Sequence, residues 1–542
     1  MIVDYYREYN DIILKNLINS NINMNISLFY EKQDSYKMIK DLTYYIGNAG
    51  VDLKDKNDNR TDIDIAAFSY QDAKYIRKEI QVNNEDLYYI YLYVTVYATN
   101  ERELNFSLNK IEGILQSSGL ITRRATFRQE QLFKACLPIM ENSSDIKEIS
   151  KRNILTSGLI STYPFISANI FDETGIFLGT NIYNNSLVFV DRFNKEKYKN
   201  ANMCVFGASG AGKSFFIKVQ LLRYWMMGIE QYVIDPEREY DKLAEKLGGT
   251  IIKIGPSSST YINVLDIREE SIEDSAGFLS TKLNKLKGFF SLIFENMTDD
   301  KYTVLEEKII KIYGMKGITF DDKSLYENGV FKSSEKMPIL EDLYNEFSDE
   351  DNYFKPKLKL FVNGSLSFFN KKTNVNLENR LIVADIYELG EENLKLGMFI
   401  FTELFWDKIK KERNKQKAIY LDEIWRLIGV VSNKEVASFI YKIFKTIRKF
   451  GGSSVAITQD ISDLFSLDDG VFGRSILNNS NIKAFFSLEE ENLLVLEKYT
   501  NISEKEKIEI KSLKRGECLM FVEDNHILVN IEASDFEKNL LL

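Results

Sequence analysis

The chain has 542 residues, 44% of them hydrophobic and 28% charged, with a formal net charge of −10. That length exceeds a single hydrophobic core and predicts two to four domains of a globular protein. The acidic balance excludes broad nonspecific attraction to DNA or anionic lipid, though not a basic pore inside an oligomer.

The chain opens on MIVDYYREYNDIILK, which lacks the basic-then-apolar layout of a signal peptide. No apolar run reaches the ~20 residues that span a bilayer, so a cytoplasmic protein is expected. Next, Asp62–Phe68 (DIDIAAF) and Leu87–Tyr97 (LYYIYLYVTVY) have the β-branched and aromatic content of strands. Glu101–Ser118 carries apolar residues at Leu104, Leu108, Ile111 and Leu115, a helical period. Strands alternating with amphipathic helices predict an N-terminal α+β domain over residues 1–195. Cys136, Cys204 and Cys518 lie far apart, and His526 is the single histidine, expected in a strand or at the surface. Neither a disulfide framework, a zinc site nor a Ser-His-Asp triad has the raw material.

A second domain is expected over residues 196–542. Met203–Phe206 is a short apolar strand, followed by Gly207–Ser214 (GASGAGKS) and an apolar helix over Ser214–Met227. Gln231–Asp235, Arg380–Ile386, Lys417–Asp422 and Ser454–Gln459 are short apolar runs that each end in a polar residue. Central strands of a doubly wound α/β sheet look like this, with function at their carboxyl ends. Lys213 and Asp422 lie roughly 200 residues apart, about twice what a minimal core built of βαβ units of some 30 residues requires. The excess, about residues 267–364, is helix-patterned and predicts a helical insertion.

Each polar strand end carries a candidate role. Gly207, Ala208, Ser209, Gly210, Ala211, Gly212, Lys213 and Ser214 fit GxxxxGK[ST], whose backbone N–H groups cradle phosphates at a helix N-terminus. Lys213 is expected on the β- and γ-phosphates of ATP, and Ser214 on Mg2+. Asp422 closes an apolar strand and is placed for the Mg2+ shell, with a helix N-cap as its bland alternative. Its neighbour Glu423 is the candidate general base. Gln459 is a candidate γ-phosphate sensor or an ordinary strand-end residue. Arg448 is a candidate arginine finger supplied to a neighbouring copy, or simply a cation at a helix C-terminus; Arg474 is a second candidate. Asp235 and Glu239 border the site as metal-tuning or capping residues. The basic run Lys408–Lys417 reads as a solvated helix end in preference to a nucleic-acid contact.

The ordered motifs resemble the VirB/TraE/TrbE/CagE-type ATPases of conjugation and type IV secretion. The resemblance rests on GIFLGTNIYNNSLVFVDRF, NANMCVFGASGAGKS, YVIDPEREY, YINVLDI, FVNGSLSFFN, RLIVADI, AIYLDEIWRLI, IRKFGGSSVAITQD and SILNNSNIKAFFSL in that order. It implies a RecA-like P-loop core related to HerA and FtsK with an all-helical insertion. It further implies an N-terminal domain that docks on inner-membrane components of the channel, and a homo-oligomer, often a hexamer. Lys213, Ser214, Asp422, Glu423 and Gln459 match the family's nucleotide motifs, and Arg448 its Arg-Lys pair. The first 150 residues lie outside the resemblance. Relatives that pump DNA usually carry Arg soon after the strand-end Gln, whereas Asp460 stands here. The expected function is an Mg-ATP-driven secretion or conjugation motor, peripheral to the inner face of the membrane. The alternatives are a HerA/FtsK-like DNA translocase and an ATP-binding assembly scaffold.

Overall fold

A computed structural model of the chain describes residues 1–5, 13–18, 20, 22–52, 60–137, 142–162, 169–269, 277–294, 297–429, 434–523 and 525–541. It divides into two compact units, Met1–Ser167 and Ala168–Leu542.

The first unit contains β1 (Ile2–Tyr5), β2 (Met24–Lys32), β3 (Leu87–Val96), β4 (Leu120–Thr122) and β5 (Arg152–Leu155). Strands β2, β3 and β5 form an antiparallel sheet in that order, and β1 pairs with β4. In β3 the alternate residues Leu87, Tyr91 and Tyr93 are buried, as a half-buried strand requires. The helix Glu101–Ser117 starts where Asn100 accepts the Glu103 N–H at 2.9 Å, and Ile111 and Leu115 face inward. Asp62–Phe68 is not a strand: it lies in the helix Arg60–Val82, beside the helix Ser35–Asp52. Its Asp-Ile alternation fits a two-residue period over four positions only. The longer glycine- and proline-free stretch buries Ala73 and Ile80 at helical spacing, and the longer period prevails.

The second unit is built on one eleven-stranded sheet. Its strands begin with β6 (Ile176–Asn181), β7 (Leu187–Val190), β8 (Met203–Phe206), β9 (Glu230–Asp235) and β10 (Thr250–Lys253). The two-residue strands β11 (Tyr326–Glu327) and β12 (Val330–Phe331) form a separate hairpin. The sheet continues with β13 (Leu381–Asp385), β14 (Lys417–Leu421), β15 (Gly452–Thr458), β16 (Ile482–Phe485), β17 (Glu517–Val522) and β18 (Asn525–Ile531). Their order is β10-β13-β9-β14-β15-β8-β16-β17-β18-β6-β7. The run from β10 to β16 is parallel, and β17, β18, β6 and β7 continue it antiparallel. Because β6 pairs with β18, residues 176–190 belong to this unit, although the sequence reading assigned everything before residue 196 to the first domain.

The parallel strands read as continuous apolar runs because both faces are covered. Cys204, Phe206, Tyr232, Ile234, Ile419 and Leu421 point into one core, and Met203, Val205, Val233, Ala418 and Tyr420 into the other. The helix Lys213–Met226 covers the second face. The helix Glu391–Lys411 covers the first, together with the inserted helices Phe278–Ile293, Asp299–Met315, Leu340–Asn345 and Phe354–Asn363. Among the described residues of the insertion, helices joined by loops predominate, with one short hairpin. Between Phe278–Ile293 and Glu391–Lys411 lies a buried ionic cluster: Lys282 bonds Glu403 at 2.7 Å, and Lys285 bonds Asp407 at 2.6 Å. The basic run is also not the solvated end expected of it. Lys408 and Lys410 are buried and pair with Glu378 and Asp407, and buried Lys417 donates to the Ile409 carbonyl. Only residues 411–416 of the run are exposed.

Candidate nucleotide site

The loop Gly207–Gly212 leaves the carboxyl end of β8 and leads into the helix that starts at Lys213. Three of its glycines are needed for distinct reasons. A Cβ on Gly207 would sit 2.6 Å from Phe486 Cβ. Gly210 has φ +75°, and Gly212 has φ +113° with its α-carbon against the Gly516 backbone. The Ala208 N–H donates to Ser487 O at 2.9 Å, tying the loop to the residues after β16. Lys213 is buried, and its ammonium donates to the carbonyls of Gly207 (2.7 Å) and Ala208 (3.1 Å). Burial pushes this ammonium down from its ordinary pKa, while Glu423, Asp422 and Glu239 pull it back up. Ser214 follows in the first turn of the helix, half-buried.

Parallel order brings the other polar strand ends to the same edge: β15 adjoins β8, and β14 adjoins β15. Gln459, at the end of β15, lines a cleft with Ala208, Ser209, Trp425, Asp460, Glu489 and Asn492. Asp422 and Glu423 follow β14, both 5% exposed. Asp422 accepts the Tyr240 hydroxyl at 3.0 Å and the Glu423 N–H at 3.0 Å. Burial, then the neighbouring charges of Glu423 and Asp235, push the Asp422 carboxyl well above its usual range. Glu423 takes φ +49°, a left-handed backbone costly for a side-chain-bearing residue, and accepts Trp425 Nε1–H at 2.6 Å. Its carboxyl is raised by burial, opposed by the Trp425 bond, Lys213 and Arg426. Asp235, after β9, accepts the N–H groups of Glu237, Glu239 and Tyr240. It thus acts as a cap while its own carboxyl is pushed up to about 7 by burial.

This edge gathers an ammonium, a hydroxyl, a glycine-rich loop at a helix N-terminus and several buried carboxylates. Such a set suits a polyphosphate with a hard divalent cation, which prefers oxygen ligands. The neighbouring carboxylates of Glu423 and Asp235 raise the cost of charge on buried Asp422. Among the described residues no three such side chains converge to hold a metal ion by themselves.

Two sequence candidates lie elsewhere. Arg448 precedes β15, at the amino-terminal edge of the parallel strands, the edge opposite the loop. Arg474 donates to the Asp469 and Gly470 carbonyls. Tyr240 and Trp425 also reach the site, through Asp422 and Glu423, without any local pattern that singles them out. Each sits inside a quoted motif, YVIDPEREY and AIYLDEIW, but what each touches depends on which strands are neighbours. His526 lies in β18, its Nδ1 2.5 Å from Glu506 Oε1.

The fold and the loop define a RecA-like P-loop NTPase-type domain. The TraG P-loop domain family matches residues 181–532, more than half of the chain, and the chain belongs to that family. It is 21% identical over 427 residues to protein TraC of Escherichia coli K12, covering 75% of this chain and 46% of TraC. It thus spans about half the length of that relative. An uncharacterized protein of Bacillus anthracis is 21% identical over 93% of this chain and 86% of its own. VirB4 of Thermoanaerobacter pseudethanolicus superposes with a TM-score of 0.62 at 29% identity, over 68% of this chain and 99% of that structure. These likenesses support the resemblance to the conjugation and type IV secretion ATPases drawn from the ordered motifs. Among the described residues, no helix is long and apolar enough to cross a membrane.

Proposed function

We propose that the chain hydrolyses Mg-ATP at the carboxyl ends of β8, β15 and β14 and thereby drives a conjugation or type IV secretion channel. One observation carries the reading: the P-loop and the adjacent carboxylates Asp422 and Glu423 share one sheet edge, with Gln459 just after the strand between them. Loop amides and Lys213 hold the phosphates, while Ser214 and Asp422 are the oxygen donors for Mg2+. Glu423 takes the proton of the attacking water. Its raised affinity for protons and its bond to Trp425 suit a positioned base. Gln459 senses the γ-phosphate. Arg448 is separated from its own loop by the length of β15, so the finger role belongs to a neighbouring copy's nucleotide in a hexamer or dimer. The first unit docks on inner-membrane components of the channel, holding the motor at the inner face of the membrane.

The test is ATP turnover by the full chain and by Glu423→Gln, each with and without DNA, alongside oligomer mass. Turnover should fall 10²–10⁴-fold in the variant with nucleotide binding retained. DNA-stimulated turnover that weakens steeply with salt favours a DNA translocase. Full activity in Glu423→Gln points to a scaffold, and absence of wild-type turnover even with channel components ends the motor reading.

A further inference from the structure

At the sheet edge opposite the nucleotide loop, the segments entering β8, β14 and β15 enclose a pocket of about 120 Å3. Its wall carries Arg192, Lys195, Arg413, Lys415 and Arg448 and, among the described residues, not one carboxylate, in a chain whose net charge is −10. Asparagine and glutamine side chains supply most of its remaining polar lining.

Two features make this more than a chance grouping of surface cations. First, Arg192 is 1% exposed. Its Nη2 donates to the Tyr420 hydroxyl at 2.9 Å, but buried Nε and Nη1 have no hydrogen-bond partner. Its guanidinium is held against the Tyr224, Phe193 and Tyr420 rings instead of a carboxylate. A buried cation without a bonded counter-charge is costly, and its field reaches an anion in the adjoining pocket with little screening. Second, Gly451 has φ +70°, and a Cβ there would lie 2.6 Å from Lys415 O and 2.9 Å from Arg413 O. Glycine at this point lets the turns before β14 and β15 close backbone to backbone, which brings Arg413, Lys415 and Arg448 to one rim. Lys415 is shared with Glu412 and Glu230, whereas Arg448 and Lys195 have no ion pair among the described residues.

We infer that this pocket binds a single phosphate group, separately from the P-loop. Its volume admits one tetrahedral oxyanion, and planar guanidinium forks match phosphate oxygens. The phosphate has two sources of the same chemistry: free inorganic phosphate, or the terminal phosphate of a nucleotide. The inference does not need ATP turnover to be right.

The test measures phosphate binding to the full chain carrying Lys213→Ala, which disables the P-loop, by calorimetric titration. It compares that protein with one that also carries Lys195→Gln and Arg413→Gln. Saturable phosphate binding that weakens at least tenfold in the triple variant is expected. Titration with ATP in place of phosphate separates the sources: tighter binding of ATP, lost in the same variant, assigns the site to a nucleotide's terminal phosphate. Absence of saturable binding of either ligand to Lys213→Ala, or binding within threefold in the two proteins, overturns the inference. Thermal unfolding checks that the variants fold. If the triple variant does not, Arg448→Gln in the Lys213→Ala protein replaces it, with at least threefold weaker phosphate binding expected and unchanged binding refuting the site.

Discussion

Replacing Gly210 and Gly212 in turn by alanine separates two demands on the phosphate loop. At Gly210 an added Cβ meets no heavy atom within 4 Å, and the only cost is a side chain at φ +75°. A left-handed backbone costs a non-glycine residue about 1–2 kcal/mol, a factor of roughly 5–30. At Gly212 the backbone is less accessible still, with φ +113°, and the Cβ would stand 2.9 Å from Gly516 N and 3.1 Å from Gly516 Cα. That neighbour is backbone and cannot rotate away. It is pinned by its N–H to Ala211 O at 3.1 Å and by its carbonyl, which accepts Ile531 N–H at 2.9 Å. Overpacking adds about 1–3 kcal/mol, and losing the Ala211 bond about 1 kcal/mol more. Gly212→Ala should therefore weaken nucleotide binding more than 100-fold, at roughly 1.4 kcal/mol per tenfold. Titration with a fluorescent ATP analogue, with thermal unfolding as the control for folding, reads both variants. Affinities for Gly210→Ala and Gly212→Ala within threefold of each other would refute this account of the loop.

The site's carboxylates predict a pH signature. Asp235 rises from 3.8 to about 7, and Asp422 and Glu423 also rise, so the folded chain holds more protons than the unfolded one across that interval. Nucleotide-free stability should accordingly fall as pH rises from about 4 through 7. The gain in unfolding temperature from Mg-ADP should grow between pH 6 and pH 8, and a flat or shrinking gain contradicts the clustered-carboxylate reading. Tyr240→Phe removes the hydroxyl donated to Asp422. A hydrogen bond to a charged group is worth about 1.5–3 kcal/mol, so Mg2+-dependent nucleotide binding should weaken about 10- to 150-fold while Mg2+-free binding is spared; equal loss in both would argue against it. In the insertion, Asp407 is fully buried beside Lys285, Lys410 and Arg268. Burial alone would raise its carboxyl, but these cations, Lys285 foremost, hold it well below the usual range. Asp407→Asn strands buried positive charge and should cost about 3–5 kcal/mol in denaturant unfolding; a loss below about 1 kcal/mol shows the cluster to be slack.

Local order carried the chemistry of the loop. Glycine where the backbone turns left-handed, lysine at the head of a helix, and paired carboxylates after an apolar run are requirements met within a few residues, so GASGAGKS and AIYLDE are legible as text. The parallel strands β8, β9, β13, β14 and β15 were equally legible, because burial on both faces makes them mostly apolar. By contrast β10 and β16, the latter with Lys483 inside it, carried no such signal. Strand order is a different matter. Gln459 lies between the P-loop and Asp422 because β15 separates β8 from β14, and no spacing in the chain states that. Long-range packing also reversed local readings. It drew Lys408, Lys410 and Lys417 inward against carboxylates and carbonyls, and made DIDIAAF part of a helix that buries Ala73 and Ile80. It moved Arg448 to the far edge of the sheet and set it beside Arg192, more than two hundred positions away in the chain. Short-range sterics and hydrogen bonding act between neighbours in the chain and can be read from it. Which distant charges share a wall depends on how the sheet assembles, and only the folded chain decides that.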